Sequence, residues 1–264
     1  MPQTPNDTNN EIWRKMLTGG EPAAGVMFRY LKMIPSSPRC KSCNAPFEGF
    51  GGPVMRMMGR QRSRKNQDFC TFCEKFLMAH QGGTEIELTM LFVDVRGSTT
   101  IAEKMNATEF SQLMNRFYES AIGVLTHADA AIDKLIGDEI VALFYPGFAG
   151  KEHARRAVNA GQELLRVTGY HDPNGPWIPI GVGIHTGIAW VGAVGGEGGK
   201  VDFTALGDNV NITARLASNA ASGEVLVSEA TCLEANIEIN NLEKRKLELK
   251  GKSEAVDVRV MHEK

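Results

Sequence analysis

Two aspartates stand where a chain can hold a divalent cation. Asp94, in LFVDVRGST, and Asp138, in DKLIGDEIVALF, each lie beside an apolar run of strand type and next to a glycine or small-residue turn. Carboxylates placed together in this way suit hard cations, which take oxygen ligands. Further along, GDNVNITARL puts Asn211 and Arg215 four residues apart, and therefore on one face of the helix that this segment should open. Carboxylates for metal and a polar pair for phosphate point to nucleotide chemistry. Taken singly, either aspartate reads equally well as a turn residue, which Asp favours; the constellation argues for a site.

A second group of candidate ligands precedes these. Four of the five cysteines fall as Cys40-x-x-Cys43 and Cys70-x-x-Cys73. Two such pairs fit a tetrahedral Cys₄ zinc site in which each pair clamps two corners. An iron–sulfur cluster uses the same four thiolates, and a redox dithiol pair is a third possibility. The run RMMGRQRSRK between the pairs is basic but lacks interleaved aromatics, so it reads as a solvated loop and not a nucleic-acid surface. Cys232 stands apart and reads as the core residue of a helix.

The elements around these residues follow from periodicity. Residues 1–10 are polar and expected to be disordered, whereas Glu11 to Met33 has helical stretches broken at Gly19-Gly20 and closed by Pro35. Residues 36–80 carry the cysteine pairs with few large apolar side chains, so only a staple should make them fold. From Glu85 onward, EIELTMLFVDV reads as a strand and TEFSQLMNRFYESAIGVLTHA as a helix after an Asn106/Thr108 cap region. AAIDKLIGDEIVALFYP reads as two strands around a Gly137-Asp138 turn, and KEHARRAVNAGQELLRVT as a second amphipathic helix. IPIGVGIHTGIAWVGAVG and KVDFTALG supply further strands.

The order is βαββαβ, an α+β ferredoxin-like arrangement. Its first strand lies beside the hairpin, so Asp94 and Asp138 meet at one sheet edge. There they repel unless a cation lies between them, and Mg²⁺ accepts one or two carboxylates plus substrate phosphate oxygens. The Arg96-Gly97-Ser98-Thr99 turn that follows offers backbone N–H groups to a triphosphate. GVGIHTG and GAVGGEGG hold glycine patterns, but neither runs from strand into helix. They read as strand bends and a mobile connection, and His185 as a packed or hydrogen-bonded structural residue.

Composition narrows the classes. The 264 residues suffice for one large domain or one ordinary domain with an appendage. With 29 basic against 31 acidic residues, nothing global points to nucleic acid or an anionic membrane. No stretch approaches the roughly 18 consecutive apolar residues of a membrane span, and MPQTPNDTNNEIWRK lacks the apolar core of a secretory signal. A soluble, cytoplasmic protein is expected.

FVDVRGST, DKLIGDEIVALF, the strand pair around GVGIHTG and FTALGDNVNITARL together resemble the successive signatures of the class III nucleotidyl cyclase catalytic domain, over residues 84–264. The resemblance adds a catalytic domain (84–264) to the leader (1–35) and the Cys₄ metal-binding segment (36–80) read from composition and cysteine spacing. It implies that Asp94 and Asp138 hold two Mg²⁺ or Mn²⁺ ions, and that Asn211 and Arg215 are the transition-state pair. It makes Lys134 and Thr204 the base-selecting positions, with Gly97, Ser98 and Thr99 at the phosphates. Lys250 resembles the family's lysine that reaches the terminal phosphates.

Lysine only donates hydrogen bonds and suits the adenine N1 acceptor, whereas the glutamate of guanylate cyclases suits guanine N1 and N2; threonine accepts from the adenine N6 amino group. Asp202 lies close by, but the register from Gly207 and Asn211 favours Thr204, as in the lysine-threonine subgroup, some of whose members respond to bicarbonate. An adenylate cyclase acting on ATP as a homodimer is therefore implied, each site using residues of both chains. A guanylate cyclase, or a metal-ribbon binding protein whose cyclase-like domain serves only for dimerisation, are the alternatives.

Overall fold

Short runs of alternating or continuous apolar residues, separated by capped amphipathic stretches, set up the elements of a computed structural model that describes residues 5–34, 38–195, 200–248 and 255–263. In chain order these are α1 (Pro5–Thr18), α2 (Pro22–Lys32), α3 (Gly51–Met57), α4 (Thr71–Ala79), β1 (Gly82–Val95), α5 (Ser98–Lys104), α6 (Ala107–His127), β2 (Ala131–Ile136) and β3 (Glu139–Phe144). They continue with α7 (Pro146–Ala149), α8 (His153–Val167), β4 (Ile180–Val194), β5 (Asp202–Leu206), α9 (Asp208–Asn219), β6 (Val225–Ser228), α10 (Glu229–Glu234), β7 (Glu243–Leu247) and β8 (Val256–Met261). Two compact units result: Met1–Glu87 with Tyr145–Gly150 and Ile188–Gly207, and Leu88–Phe144 with Lys151–Gly187 and Asp208–Lys264.

The second unit carries the strand order β2-β3-β1-β4-β6-β8-β7. Its β2-β3-β1-β4 half is the βαββαβ arrangement expected from the sequence. β1 pairs antiparallel with β3, β4 runs parallel to β6, and β8 lies antiparallel to both β6 and β7. Residues 90–93 of β1 are all buried, which is why that strand reads as a continuous apolar run. Helix α6 starts at a capping box, with Asn106 accepting from the Glu109 backbone and Glu109 accepting from that of Asn106. It buries Met114, Phe117, Ala121 and Leu125. Cys232 is buried in α10, as expected.

β4 is unbroken, which corrects the expectation of strand bends at GVGIHTG. Its glycines form a track for α9 instead. A Cβ on Gly181 would lie 2.8 Å from the Ala220 carbonyl oxygen, one on Gly183 2.2 Å from the Ala217 nitrogen, and one on Gly187 2.7 Å from Asn209 Cγ. Positions 181, 183 and 187 share one strand face, so the missing side chains let the helix backbone lie directly on the strand. Ile212 and Leu216 of α9, with Ala220 just beyond it, pack with Leu226, Val258 and Val260.

In the first unit Trp13 of α1 is fully buried, stacked on Phe203 of β5 at 5.4 Å and set edge-on to Phe76 of α4 at 5.5 Å. Its indole N–H donates to the His80 carbonyl at 2.9 Å. Phe28 of α2 stacks on Phe148 of α7 at 4.8 Å. One expectation needs correction: Pro5–Asn10 are helical, as the start of α1, and not disordered. In the cysteine segment the large apolar side chains Phe47, Met55, Phe69 and Leu77 are buried. Pro35 lies outside the described residues.

Candidate active site

The aspartates come together through strand pairing. Asp94 pairs with Glu139 across β1 and β3, and the backbone N–H of Val95 donates to the Asp138 carbonyl at 3.3 Å. Asp138 occupies the β2–β3 turn beside Gly137, whose φ of 61° is the left-handed conformation that only glycine adopts without cost. The Tyr118 hydroxyl of α6 donates to the Gly137 carbonyl and so ties the turn to the helix. Burial, and then the Asp138 charge, raise the Tyr118 pKa; the same two causes raise that of Glu139. Asp138 and Glu139 thus set two carboxylates side by side in a partly desolvated place, with the Arg96 guanidinium acting on both.

The Arg96 side chain is a further candidate, since the sequence pointed only to the backbone of its turn. Its guanidinium pairs with the Asp94 carboxylate and donates from Nη1 to the carbonyls of Ser218, at 2.9 Å, and Ala220, at 3.4 Å. A cation at the carbonyl end of α9 is favourably placed against the helix dipole. Burial lowers the Arg96 pKa, while Asp138 and Glu139 oppose that effect. Arg96 thus joins the first metal-ligand candidate to the helix that bears Asn211 and Arg215. That helix leaves Asn211 exposed and Arg215 half-buried, one turn apart, away from its buried Ile212, Leu216 and Ala217.

His185 lies on the glycine-track face of β4, with Nδ1 2.8 Å from Ser228 Oγ and Nε2 2.9 Å from Asn209 Oδ1. It is buried and hydrogen-bonded on both nitrogens, in keeping with the structural role expected of it. Lys134 is half-buried on β2, paired with Val141 across a β-bulge. Gly97 is left-handed at φ 68° and leads into α5 at Ser98 and Thr99. Thr204 belongs to the first unit, buried on β5 opposite Gly192 of β4. Lys250 lies outside the described residues.

Residues 82–261, more than half of the chain, match the family described as the adenylate and guanylate cyclase catalytic domain. The chain belongs to this cyclase family. An adenylate cyclase of Anabaena cylindrica is 30% identical over 186 residues, which are 65% of this chain and 36% of that protein. The terminal-differentiation specific adenylate cyclase of Dictyostelium discoideum is 32% identical over 179 residues, 65% of this chain and 8% of that protein. The chain therefore spans well under two thirds of these relatives. Among solved structures, the guanylyl cyclase Cya2 is 29% identical with a TM-score of 0.61, covering 68% of this chain and 93% of its own. The adenylyl cyclase CyaB from P. aeruginosa is 26% identical with a TM-score of 0.58, covering 68% and 96%. This chain shares its α+β cyclase fold with both solved structures.

The cysteines precede the cyclase-family residues. The sulfurs of Cys40, Cys43, Cys70 and Cys73 all lie within 4.8 Å of one another, and those of Cys43 and Cys70 are 3.8 Å apart. Four thiolates bound tetrahedrally at about 2.3 Å from a metal would be separated by about 3.8 Å, so the set fits a metal ion. Backbone N–H groups already point at the sulfurs, from Cys70 to Cys40 at 3.2 Å and from Cys73 to Cys70 at 3.4 Å. Hydrogen bonds from neighbouring thiols, Cys40 first, hold Cys43 and Cys70 below the ordinary thiol range, whereas burial pushes Cys40 up. Arg60, buried and stacked over Phe72 at 4.3 Å, is a further residue the sequence did not single out. Burial works against its charge, but the Cys43, Cys73 and Cys70 sulfurs outweigh burial and raise its pKa.

Proposed function

We propose that the chain is an adenylate cyclase that converts ATP to 3′,5′-cyclic AMP and pyrophosphate, acting as a homodimer in the cytoplasm. The observation that carries this reading is the meeting of Asp94 and Asp138 at one sheet end, with Lys134 on the same hairpin, in a chain of the cyclase family. Two Mg²⁺ or Mn²⁺ ions held by Asp94 and Asp138 would lower the pKa of the ribose 3′-hydroxyl and neutralise phosphate charge. Arg215 stabilises the charge that develops on the α-phosphoryl group as the 3′-oxygen attacks in line, and Asn211 orients the ribose. Gly97, Ser98, Thr99 and Lys250 hold the remaining phosphates. Lys134 donates to adenine N1 and Thr204 accepts from N6.

In a homodimer each chain lends Asp94 and Asp138 to one site and Lys134, Thr204, Asn211 and Arg215 to the other. The cysteine segment, residues 36–80, holds structural Zn²⁺, and its unbridged thiols suit a reducing compartment. Similarity to the guanylyl cyclase Cya2 favours GTP as the second reading.

Mixing two separately inactive chains tests the whole scheme. Asp138→Ala and Arg215→Ala chains should each be inactive, while their mixture, after subunit exchange, should regain about a quarter of wild-type turnover, because half of the dimers keep one intact site. No recovery from folded, exchanging chains would exclude a shared catalytic site.

A further inference from the structure

The cysteine cluster grips the strand that carries Thr204. Lys41 lies between Cys40 and Cys43, and its ammonium is 2.6 Å from Asp202 Oδ1, with the lysine side chain only 12% exposed. That same carboxylate oxygen accepts from the backbone N–H of Phe203 at 2.8 Å. Asn66, between the two cysteine pairs and 3% exposed, donates from Nδ2 to the Val201 carbonyl at 2.5 Å.

Both contacts are fixed to the cluster. The Lys41 N–H donates to the Asp68 carbonyl at 2.8 Å, two residues before Cys70. The Asn66 N–H donates to Ser63 Oγ, which itself donates to Glu74 Oε2 on α4 at 2.6 Å. Phe203 is in addition stacked on Trp13. Thr204 follows directly, so its placement along β5 depends on the residues immediately before it.

We infer that the four-cysteine segment is a positioning element for nucleotide selection: through Lys41 and Asn66 it sets the start of β5 and hence the hydroxyl of Thr204. Lys41 and Asn66 are positioning residues here, acting on the base only through Thr204. The inference rests on the assignment of Thr204 to the base. A purely structural segment would affect stability and overall turnover but would treat ATP and GTP alike. A positioning segment changes their ratio, because a misplaced Thr204 hydroxyl loses a bond made only with adenine.

The test uses the full-length chain with Asn66→Ala, Lys41→Met, Lys41→Arg and Thr204→Ala, none of which removes a thiol. The readouts are zinc content, melting temperature and the relative affinities for non-reactive ATP and GTP analogues by calorimetry. Asn66→Ala and Lys41→Met should retain zinc and lower the ATP-to-GTP affinity ratio by about fivefold, the worth of one hydrogen bond. Lys41→Arg keeps the charge and should restore most of the ratio. Should Asn66→Ala fail to fold, the Lys41 pair decides alone. An unchanged ratio in the Lys41 and Asn66 variants, with a changed one in Thr204→Ala, overturns the inference and leaves the base assignment standing. An unchanged ratio in Thr204→Ala overturns both.

Discussion

Gly183→Ala tests whether the bare face of β4 positions α9, the helix proposed to carry the catalytic Asn211 and Arg215. The added Cβ would lie 2.2 Å from the Ala217 nitrogen, 2.7 Å from the Leu216 carbonyl carbon and 2.8 Å from the Ala217 Cα, whereas ordinary contact begins at 3.4 Å. All three atoms are backbone, so no side-chain rotation relieves the clash, and α9 must retreat by about 1 Å. Overpacking of this kind costs about 1–3 kcal/mol, or roughly 2–10 °C in melting temperature for a chain of this size. The functional cost is larger, because Arg215 and Asn211 ride on α9 and a displacement of about 1 Å from the reacting phosphate costs on the order of 10²-fold in rate.

The assay is the initial rate of cyclic nucleotide formation with ATP and Mn²⁺, read beside a thermal melt. Gly161→Ala in α8 is the control. The three atoms nearest its Cβ are all side-chain methyls, Ile184 Cδ1 at 3.0 Å, Val225 Cγ1 at 3.1 Å and Val182 Cγ1 at 3.5 Å. These are side-chain ends that can give, and alanine also favours the helix, so near wild-type activity is expected. A folded Gly183→Ala protein with undiminished turnover would refute the positioning argument.

Asp138→Asn should lower turnover at least about 10²-fold while leaving the melting temperature without added Mg²⁺ or Mn²⁺ unchanged or raised, since it removes the charge that helps push up the Glu139 pKa. Mn²⁺ at about 100 times its Kd should stabilise the wild type by about 2.7 kcal/mol; equal stabilisation of the variant would contradict the ligand assignment. Burial lowers the His153 pKa against the opposing Glu234 carboxylate, with the Thr89 hydroxyl 2.8 Å from Nδ1. The unfolded chain then binds this proton first. Stability is therefore full above about pH 6.5 and is lost as pH falls through the lowered value, at no more than about 1.4 kcal/mol per pH unit. His153→Gln should flatten the acid limb of melting temperature against pH, and an equally steep limb would acquit the imidazole. Cys43→Ser should abolish stoichiometric zinc on metal analysis and lower the melting temperature; a visible absorption band in the wild type would instead indicate an iron–sulfur cluster.

Much of the fold was legible because the motifs coincide with element ends. The Gly137-Asp138 turn between two apolar runs announced the β2–β3 hairpin, and the spacing of Asn211 and Arg215 announced the outward face of α9. The glycine track was not legible, because glycine in a strand signals a bulge, a bend or a close backbone approach alike, and only the position of α9 decides which. The role of the Arg96 side chain depends on Ser218 and Ala220, far along the chain, and no local pattern encodes such a contact. The burial of Phe47, Met55, Phe69 and Leu77 in the cysteine segment was not legible either, because they are too widely spaced along the chain to show a period.

The central claim is tested most directly by the product. Purified chain, incubated separately with ATP and GTP in the presence of Mn²⁺ and analysed by chromatography, should form 3′,5′-cyclic AMP and pyrophosphate from ATP, with little cyclic GMP from GTP. Cyclic GMP as the main product would overturn the base assignment, and a folded dimer that forms neither would contradict the enzyme itself.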